Sequence, residues 1–202
     1  MDIQFAPDFP VTDEACVEAT AKPMAYWFAR IEAEGLASKR RDAIQLIYNE
    51  TNRGKDVWWP TTLWVEYERC KGIVQKDGRP EGYNICCTKG FKQAPDEIFP
   101  HFATESAIQA WVTGWSGAMV EGTAFACGPC TGKVGRIRPA KDVRLTWQSP
   151  GFGPSEVEMQ FNVMGGKTTI NVYHKRLSTR DEADGMRRAW GAALDRLKAL
   201  VA

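Results

Sequence analysis

The chain has 202 residues, enough for one or two domains with a substantial core, and its 26 Lys and Arg almost balance 25 Asp and Glu, a formal net charge of +1. Such balance provides no global field to attract nucleic acid or an anionic membrane surface, and both are disfavoured as partners. The opening MDIQFAPDFP has no basic stretch followed by an apolar core, and no apolar run reaches the roughly 20 residues that span a bilayer, so a cytoplasmic protein without a membrane span is expected.

Up to about residue 74 the pattern is helical. Thr12 or Asp13 can cap a first helix carrying Val17, and Pro23 can open a second whose Met24, Trp27, Phe28 and Ile31 share a face before Gly35. Ser38 is placed to cap a third helix with Ile44, Ile47 and Tyr48, closed by the Asn52 to Gly54 punctuation. A fourth starts near Trp59 and Pro60, sets Leu63, Tyr67 and Cys70 on one face, and ends at Gly72. The turn-rich QKDGRPEG, Gln75 to Gly82, then marks a boundary, giving a helical domain over 1–78 and a second domain over 79–202.

Beyond it the period changes. Tyr83 to Phe91 reads as a strand, Pro95 to Ala103 and Glu105 to Val112 as short helices. Strands follow at Met119 to Cys127, Lys133 to Arg138, Val143 to Trp147, Glu156 to Met164 and Lys167 to Lys175, the last two joined by a turn at Gly165 and Gly166. Val157, Met159, Phe161 and Val163 alternate with Glu158, Gln160 and Asn162, the signature of an antiparallel sheet with one apolar face. A long helix closes the chain. Thr179 and Glu182 have capping-box spacing, and Met186, Trp190, Ala193, Leu197 and Leu200 form one stripe that must be buried, with the sheet as its cover.

The order of elements, and the segments APDEIFPHF, AIQAW, GKVGRIRPAKDVRLTW, GGKTTINVYHKRL and AWGAALDRL, resemble the START-like SRPBCC superfamily across nearly all of 82–202. More narrowly they resemble the group of homologues of the activator of heat-shock-protein-90 ATPase. The first part, through ATAKPMAYWF and VWWPTTLWVEYERCKG, resembles a small helical domain of unknown function that precedes such modules in some bacterial proteins, with Ala21 where that domain commonly has glycine. The resemblance implies an α+β, helix-grip (START/Bet v-like) fold, an antiparallel curved sheet with a long C-terminal helix, preceded by a small all-α domain. It also implies an apolar cavity between sheet and helix. Superfamily members use it for lipids, polyketides and flavonoid-like aromatics, a minority catalyse cyclisation or hydrolysis there, and eukaryotic relatives of the narrower group stimulate a chaperone ATPase.

Alternation and helical spacing assign the cavity wall to Trp111, Trp115, Phe125, Trp147, Met159, Phe161, Val172 and His174, with Met186, Trp190 and Leu194 closing it. The alternative is a core in which the tryptophans, eight in the chain, fill that space themselves. His174 has a pKa suited to acid–base work, but a lone inward histidine without an evident partner more often belongs to the core. Glu66 and Glu68 read as surface carboxylates on a helix.

Six cysteines are read as mostly reduced thiols. Cys127 and Cys130 spell CGPC, but a strand rather than a helix follows, so the helix dipole that acidifies a thioredoxin-type thiol is missing; thioredoxin-like redox chemistry is disfavoured, while the close spacing still permits a regulatory or adventitious disulfide, which is left open. Joining Cys86 and Cys87 to them as zinc ligands is disfavoured, because adjacent strand residues point to opposite faces. Lys39, Arg40 and Arg41 read as a solvated face, and no phosphate-cradling loop occurs, so neither metal nor cofactor is expected. Binding of a hydrophobic or aromatic small molecule is the leading expectation. The alternatives are a protein partner docking through the helical domain, in which WWPTTLWVEYE offers aromatics, and a cyclase or hydrolase acting in the same cavity. Oligomeric state is left open.

Overall fold

In the structure, a computed structural model, residues 1–51, 58–73 and 82–202 are described. The chain forms two units: Phe9–Glu81, and a second built from Met1–Asp8 together with Gly82–Ala202. The helical unit contains α1 (Asp13–Thr20), α2 (Met24–Ala33), α3 (Arg40–Glu50) and α4 (Trp58–Cys70). Thr12 caps α1 by accepting the Ala15 N–H at 3.2 Å. Ala21 closes it at φ 61°, so the left-handed turn that glycine commonly makes is kept by an alanine, at a cost of about 1 kcal/mol. The expected Ser38 cap is not formed; Lys39 takes that position without a side-chain bond to the helix. The punctuation at Asn52 to Gly54 lies outside the described residues, as does all of the Gln75 to Gly82 turn except Gly82.

The unit's core gathers Cys16, Trp27, Ile31, Ala43 and Ile47 against Trp59, Leu63, Trp64 and Tyr67. Most of the aromatic potential of WWPTTLWVEYE is therefore spent internally, with Trp58 half-buried and Trp59, Trp64 and Tyr67 buried. Glu66 also departs from its surface reading, being buried and paired with Arg69 at 2.8 Å.

The second unit is a curved, wholly antiparallel sheet gripping one long helix. Its strands are β1 (Tyr83–Phe91), β2 (Trp115–Ser116), β3 (Ala124–Cys127), β4 (Cys130–Arg138), β5 (Asp142–Gln148), β6 (Pro154–Met164) and β7 (Lys167–Leu177), in the order β1-β7-β6-β5-β4-β3-β2. Between β1 and β2 lie α5 (Pro95–Ile98), a 3-10 turn (Phe99–Phe102) and α6 (Glu105–Gln109). The strand expected from Met119 begins only at Ala124, because Gly117 and Gly122 adopt positive φ and turn the chain first. Register shifts at Tyr83/Ile85 and Val134/Arg136 bend the strands they interrupt.

Gly132 shows how tightly the sheet is folded onto its contents. A Cβ there would overlap the Thr146 carbonyl oxygen and the ring of Phe125. Gly132→Ala is expected to lower stability by about 2 kcal/mol through overpacking, measured by urea unfolding, whereas Gly90→Ala, with no atom in reach of the new methyl, should not. Equal midpoints for the two variants would refute this.

The closing helix α7 (Arg180–Leu200) starts at Thr179, whose hydroxyl accepts the Glu182 N–H at 3.2 Å, while the Glu182 carboxylate accepts the Ser178 N–H at 2.7 Å. This is a capping box displaced by one residue. Met186, Ala189, Trp190, Ala193, Leu194 and Leu197 are buried, and the helix packs on β1 and β7. Leu200, expected in the stripe, is exposed in the last turn. Across the other side of α7 runs the segment Met1–Asp8, which approaches so closely at Gly185 that a side chain there would strike the Gln4 carbonyl. Arg188 donates to the Gln4 and Ala6 carbonyls at 2.8 Å, and Asp8 pairs with Arg187 and Arg188. The first eight residues, read from sequence as part of the helical domain, thus belong with the sheet.

Candidate functional site

The pleat and the helical repeat bring all eleven expected wall residues inside the second unit. Trp111, Trp115, Phe125, Trp147, Met159, Phe161, Val172, His174, Met186, Trp190 and Leu194 are each buried. Two aromatic groups result. Trp115 stacks on Phe125 with centroids 4.1 Å apart, Phe125 meets Trp147 at 5.6 Å, and Trp147 meets Trp190 at 5.5 Å and His174 at 5.7 Å. Separately, Trp111 packs on Phe102 at 4.7 Å and Phe102 on Phe161 at 5.1 Å. Within each group the rings are in mutual contact beneath α7.

Two polar chains run through this aromatic interior. In the first, the Trp190 indole lies 3.2 Å from His174 Nδ1, and His174 Nε2 lies 2.9 Å from Ser155 Oγ. An indole nitrogen only donates, so Nδ1 must accept and the proton of the neutral ring sits on Nε2, donating to Ser155. The Ser155 hydroxyl in turn donates to the Trp147 carbonyl at 3.2 Å. Complete burial holds the imidazole pKa down to about 3. This polarity is the reverse of what nucleophilic catalysis requires: Nε2 would have to take the serine proton, and it already carries one. His174 and Ser155 therefore form a structural hydrogen-bond chain.

The second chain lies under the start of α7. Cys130 Sγ is 3.9 Å from the hydroxyl of buried Ser149, which faces the Glu182 carboxyl. Burial pushes the Glu182 pKa up, against the lowering effect of hydrogen bonds from Ser178 and Ser149. Glu182 Oε1 and the Trp147 indole nitrogen are buried without a hydrogen bond of good geometry; the indole leans on the Cys130 sulfur, a weak acceptor. Sequence reasoning missed Ser149, Ser155 and the burial of Glu182. Parity could have found Ser155, two residues before Val157 on the inward face, but nothing marks Ser149.

Cys127 and Cys130 sit opposite each other across the β3–β4 hairpin, both buried free thiols, and burial raises both pKa values. Cys86 and Cys87 lie on β1, separated from that hairpin by β7, β6 and β5. Among the described residues, no group of His, Cys, Asp and Glu is arranged to hold a metal. No helix among them is long and apolar enough to cross a membrane. In the helical unit, Arg40 and Arg41, read as a solvated face, help line a groove of about 560 Å³ with Tyr48 and Pro60.

An antiparallel curved sheet closed by one long terminal helix, with an aromatic interior and a few inward polar groups, defines the α+β helix-grip class. The chain belongs to the family described as activator of Hsp90 ATPase homolog 1-like protein, whose model matches residues 92–202, more than half of its length. Among solved structures it is similar to CalU16 from Micromonospora echinospora, at 24% identity and a TM-score of 0.55 over 61% of this chain and 78% of that one. It is also similar to Aha1 from Colwellia psychrerythraea, solved as a dimer, at 23% identity and TM-score 0.51 over 59% of this chain and 96% of that one. A third is the protein MLL2253 from Mesorhizobium loti, at 18% identity and TM-score 0.51 over 59% and 96% of the two chains. At these identities the likeness establishes the fold alone. No curated protein sequence matches the chain.

Proposed function

We propose that the second unit binds a hydrophobic or aromatic small molecule beneath α7, in the cytoplasm of a bacterium, without itself catalysing a reaction. The observation that carries this reading is the Trp147 indole N–H: a buried donor lacking a good acceptor, set among Phe125, His174 and Trp190. Native cores rarely leave such a donor unsatisfied, and small-molecule sites are apolar surroundings with a few polar anchors. A guest bearing one hydrogen-bond acceptor would satisfy it. Because the rings touch, the guest enters by displacing side chains between α7 and the sheet.

Native mass spectrometry and thermal shift against a panel of lipids, polyketides and flavonoids test this. An aromatic ligand with an acceptor group is expected to be retained and to raise the melting temperature. Trp147→Phe, which keeps a ring and removes the N–H, should weaken it about tenfold while leaving the free protein nearly as stable. Absence of any retained ligand, or identical binding by Trp147→Phe, would refute the proposal.

Family membership favours one further reading, a co-chaperone-like role on a protein partner. Stimulation of a bacterial Hsp90 ATPase by the intact chain would support it, and an unchanged rate would remove it.

A further inference from the structure

We propose that the segment Met1–Asp8 is a strap that gates the interior beneath the start of α7, opening by itself while the sheet and the helix stay folded. Its role in admitting a guest rests on the binding proposed above; its opening does not.

The strap crosses three parts of the second unit. At one end the Met1 backbone lies against the β3–β4 hairpin, so close that a Cβ at Gly128 would come within 3.2 Å of the Met1 carbonyl oxygen and one at Gly114 within 3.4 Å of the Met1 nitrogen. That nitrogen is 3.7 Å from the sulfur of fully buried Cys127. In the middle the Phe5 ring meets Phe152, in the turn between β5 and β6, edge to face with centroids 5.1 Å apart. At the far end the Gln4 carbonyl rests on Gly185, and Asp8 pairs with Arg187 and Arg188 while its N–H donates to Asp184 at 3.0 Å. The polar chain of Cys130, Ser149 and Glu182 joins the same two elements from inside. Cys130 is the cross-strand partner of Cys127, and Glu182 lies about one turn before Gly185.

The strap is attached far more weakly than what it covers. It forms neither strand nor helix, and Met1 is the only one of its side chains that is buried. Its latch on α7 joins Asp8 to two arginines whose side chains are 42% and 41% exposed, ion pairs that water screens. The helix itself buries Met186, Trp190, Ala193, Leu194 and Leu197. A segment with so few buried apolar contacts opens at a small fraction of the free energy that global unfolding requires. Its departure uncovers Cys127 and, next to it, the corner where the Trp147 indole leans on the Cys130 sulfur.

The chain carries its own reporters of each opening. Cys127 lies under the strap and Cys130 in the interior corner. Cys87, on β1, has its sulfur 3.4 Å from the Arg187 carbonyl and reports the lifting of α7; Cys16 sits in the core of the helical unit. All four are buried free thiols, whereas Cys70 and Cys86 are exposed and supply the unhindered rate.

The experiment is treatment of the full chain with N-ethylmaleimide, reading the labelling rate of each cysteine by peptide mass spectrometry. Gly185→Ala drives the Gln4 carbonyl off α7 and at the same time favours the helix, alanine being the better helix former. It is expected to speed labelling of Cys127 and Cys130 at least about tenfold and to leave Cys87 and Cys16 within about twofold of the wild type. Asp8→Asn, which loosens the latch without a clash, should speed the first pair about fivefold. Unchanged rates at Cys127 and Cys130 in both variants would overturn the proposal. An equal rise at Cys87 would also overturn it, since the opening would then be that of α7, and a rise at Cys127 without Cys130 would remove the gate, since the interior would not be reached. Failure of the binding reading shows separately, as a ligand panel from which nothing is retained while the thiol rates still rise.

Discussion

Lowering the pH from 6.5 to about 4 should remove about 3 kcal/mol of stability through His174 alone. The folded imidazole accepts a proton only near pH 3, while in the unfolded chain it does so near 6.5. Between those values the unfolded state binds the extra proton. The contribution is therefore complete above pH 6.5 and declines by about 1.4 kcal/mol per unit as the pH falls toward 3.

Glu182 acts in the opposite direction. Its folded carboxyl keeps its proton to a higher pH than the 4.5 of a free glutamate, so its contribution is present below 4.5 and is lost as the pH rises through the folded value. The two are separated by comparing the wild type with His174→Asn, whose amide oxygen can still accept the Trp190 N–H. Urea unfolding at pH 7, 6, 5 and 4 should show the gap in stability between the two proteins shrinking by about 3 kcal/mol over the series. Parallel pH profiles would mean that His174 is not held neutral.

Trp190→Ala should be the most damaging truncation in α7, at about 3–5 kcal/mol. It empties a fully buried site against Trp147 and strands the Nδ1 acceptor of His174. Trp190→Phe separates these effects: most of the ring stays, the N–H goes, and the expected loss is about 1–3 kcal/mol from the unpaired acceptor. Equilibrium unfolding measures both. In a His174→Leu, Trp190→Phe double variant the losses should fail to add by about 1 kcal/mol, since each single change removes the same bond. Strict additivity would show that the Trp190–His174 hydrogen bond contributes nothing measurable.

The elements of the second unit were legible in the sequence because each obeys a single period. Val157, Met159 and Phe161 could only point one way, and Met186, Trp190, Ala193 and Leu197 could only share one face. Burial of the expected wall residues on β3, β5, β6, β7 and α7 follows from those two periods. What the periods do not contain is distance across the interior. Whether Trp147 and Trp190 line a void or touch depends on the curvature of the sheet and on where α7 rests, both set by bulges, by Gly132 and by the turn glycines 117 and 122. The tautomer of His174 was equally out of reach, because it depends on the meeting of β6, β7 and α7 at Ser155 and Trp190. In the helical unit the burial of Trp59, Trp64 and Tyr67 was out of reach for a related reason: a tryptophan has the same identity on a core face as on a docking face, and only the packing of α2 and α3 against α4 decides.

The crossing of α7 by Met1–Asp8 changes what a domain deletion would mean. In covalent order, the helical unit is an insertion between the first eight residues and β1, and the sheet unit is discontinuous. Cutting the chain ahead of Gly82 does not liberate a complete second unit. It leaves the groove at Gly185 uncovered and removes Asp8 from Arg187 and Arg188. A faithful excision would instead join Asp8 to Gly82 by a linker. During synthesis, those eight residues are made well before α7 and must wait for it before their partners exist.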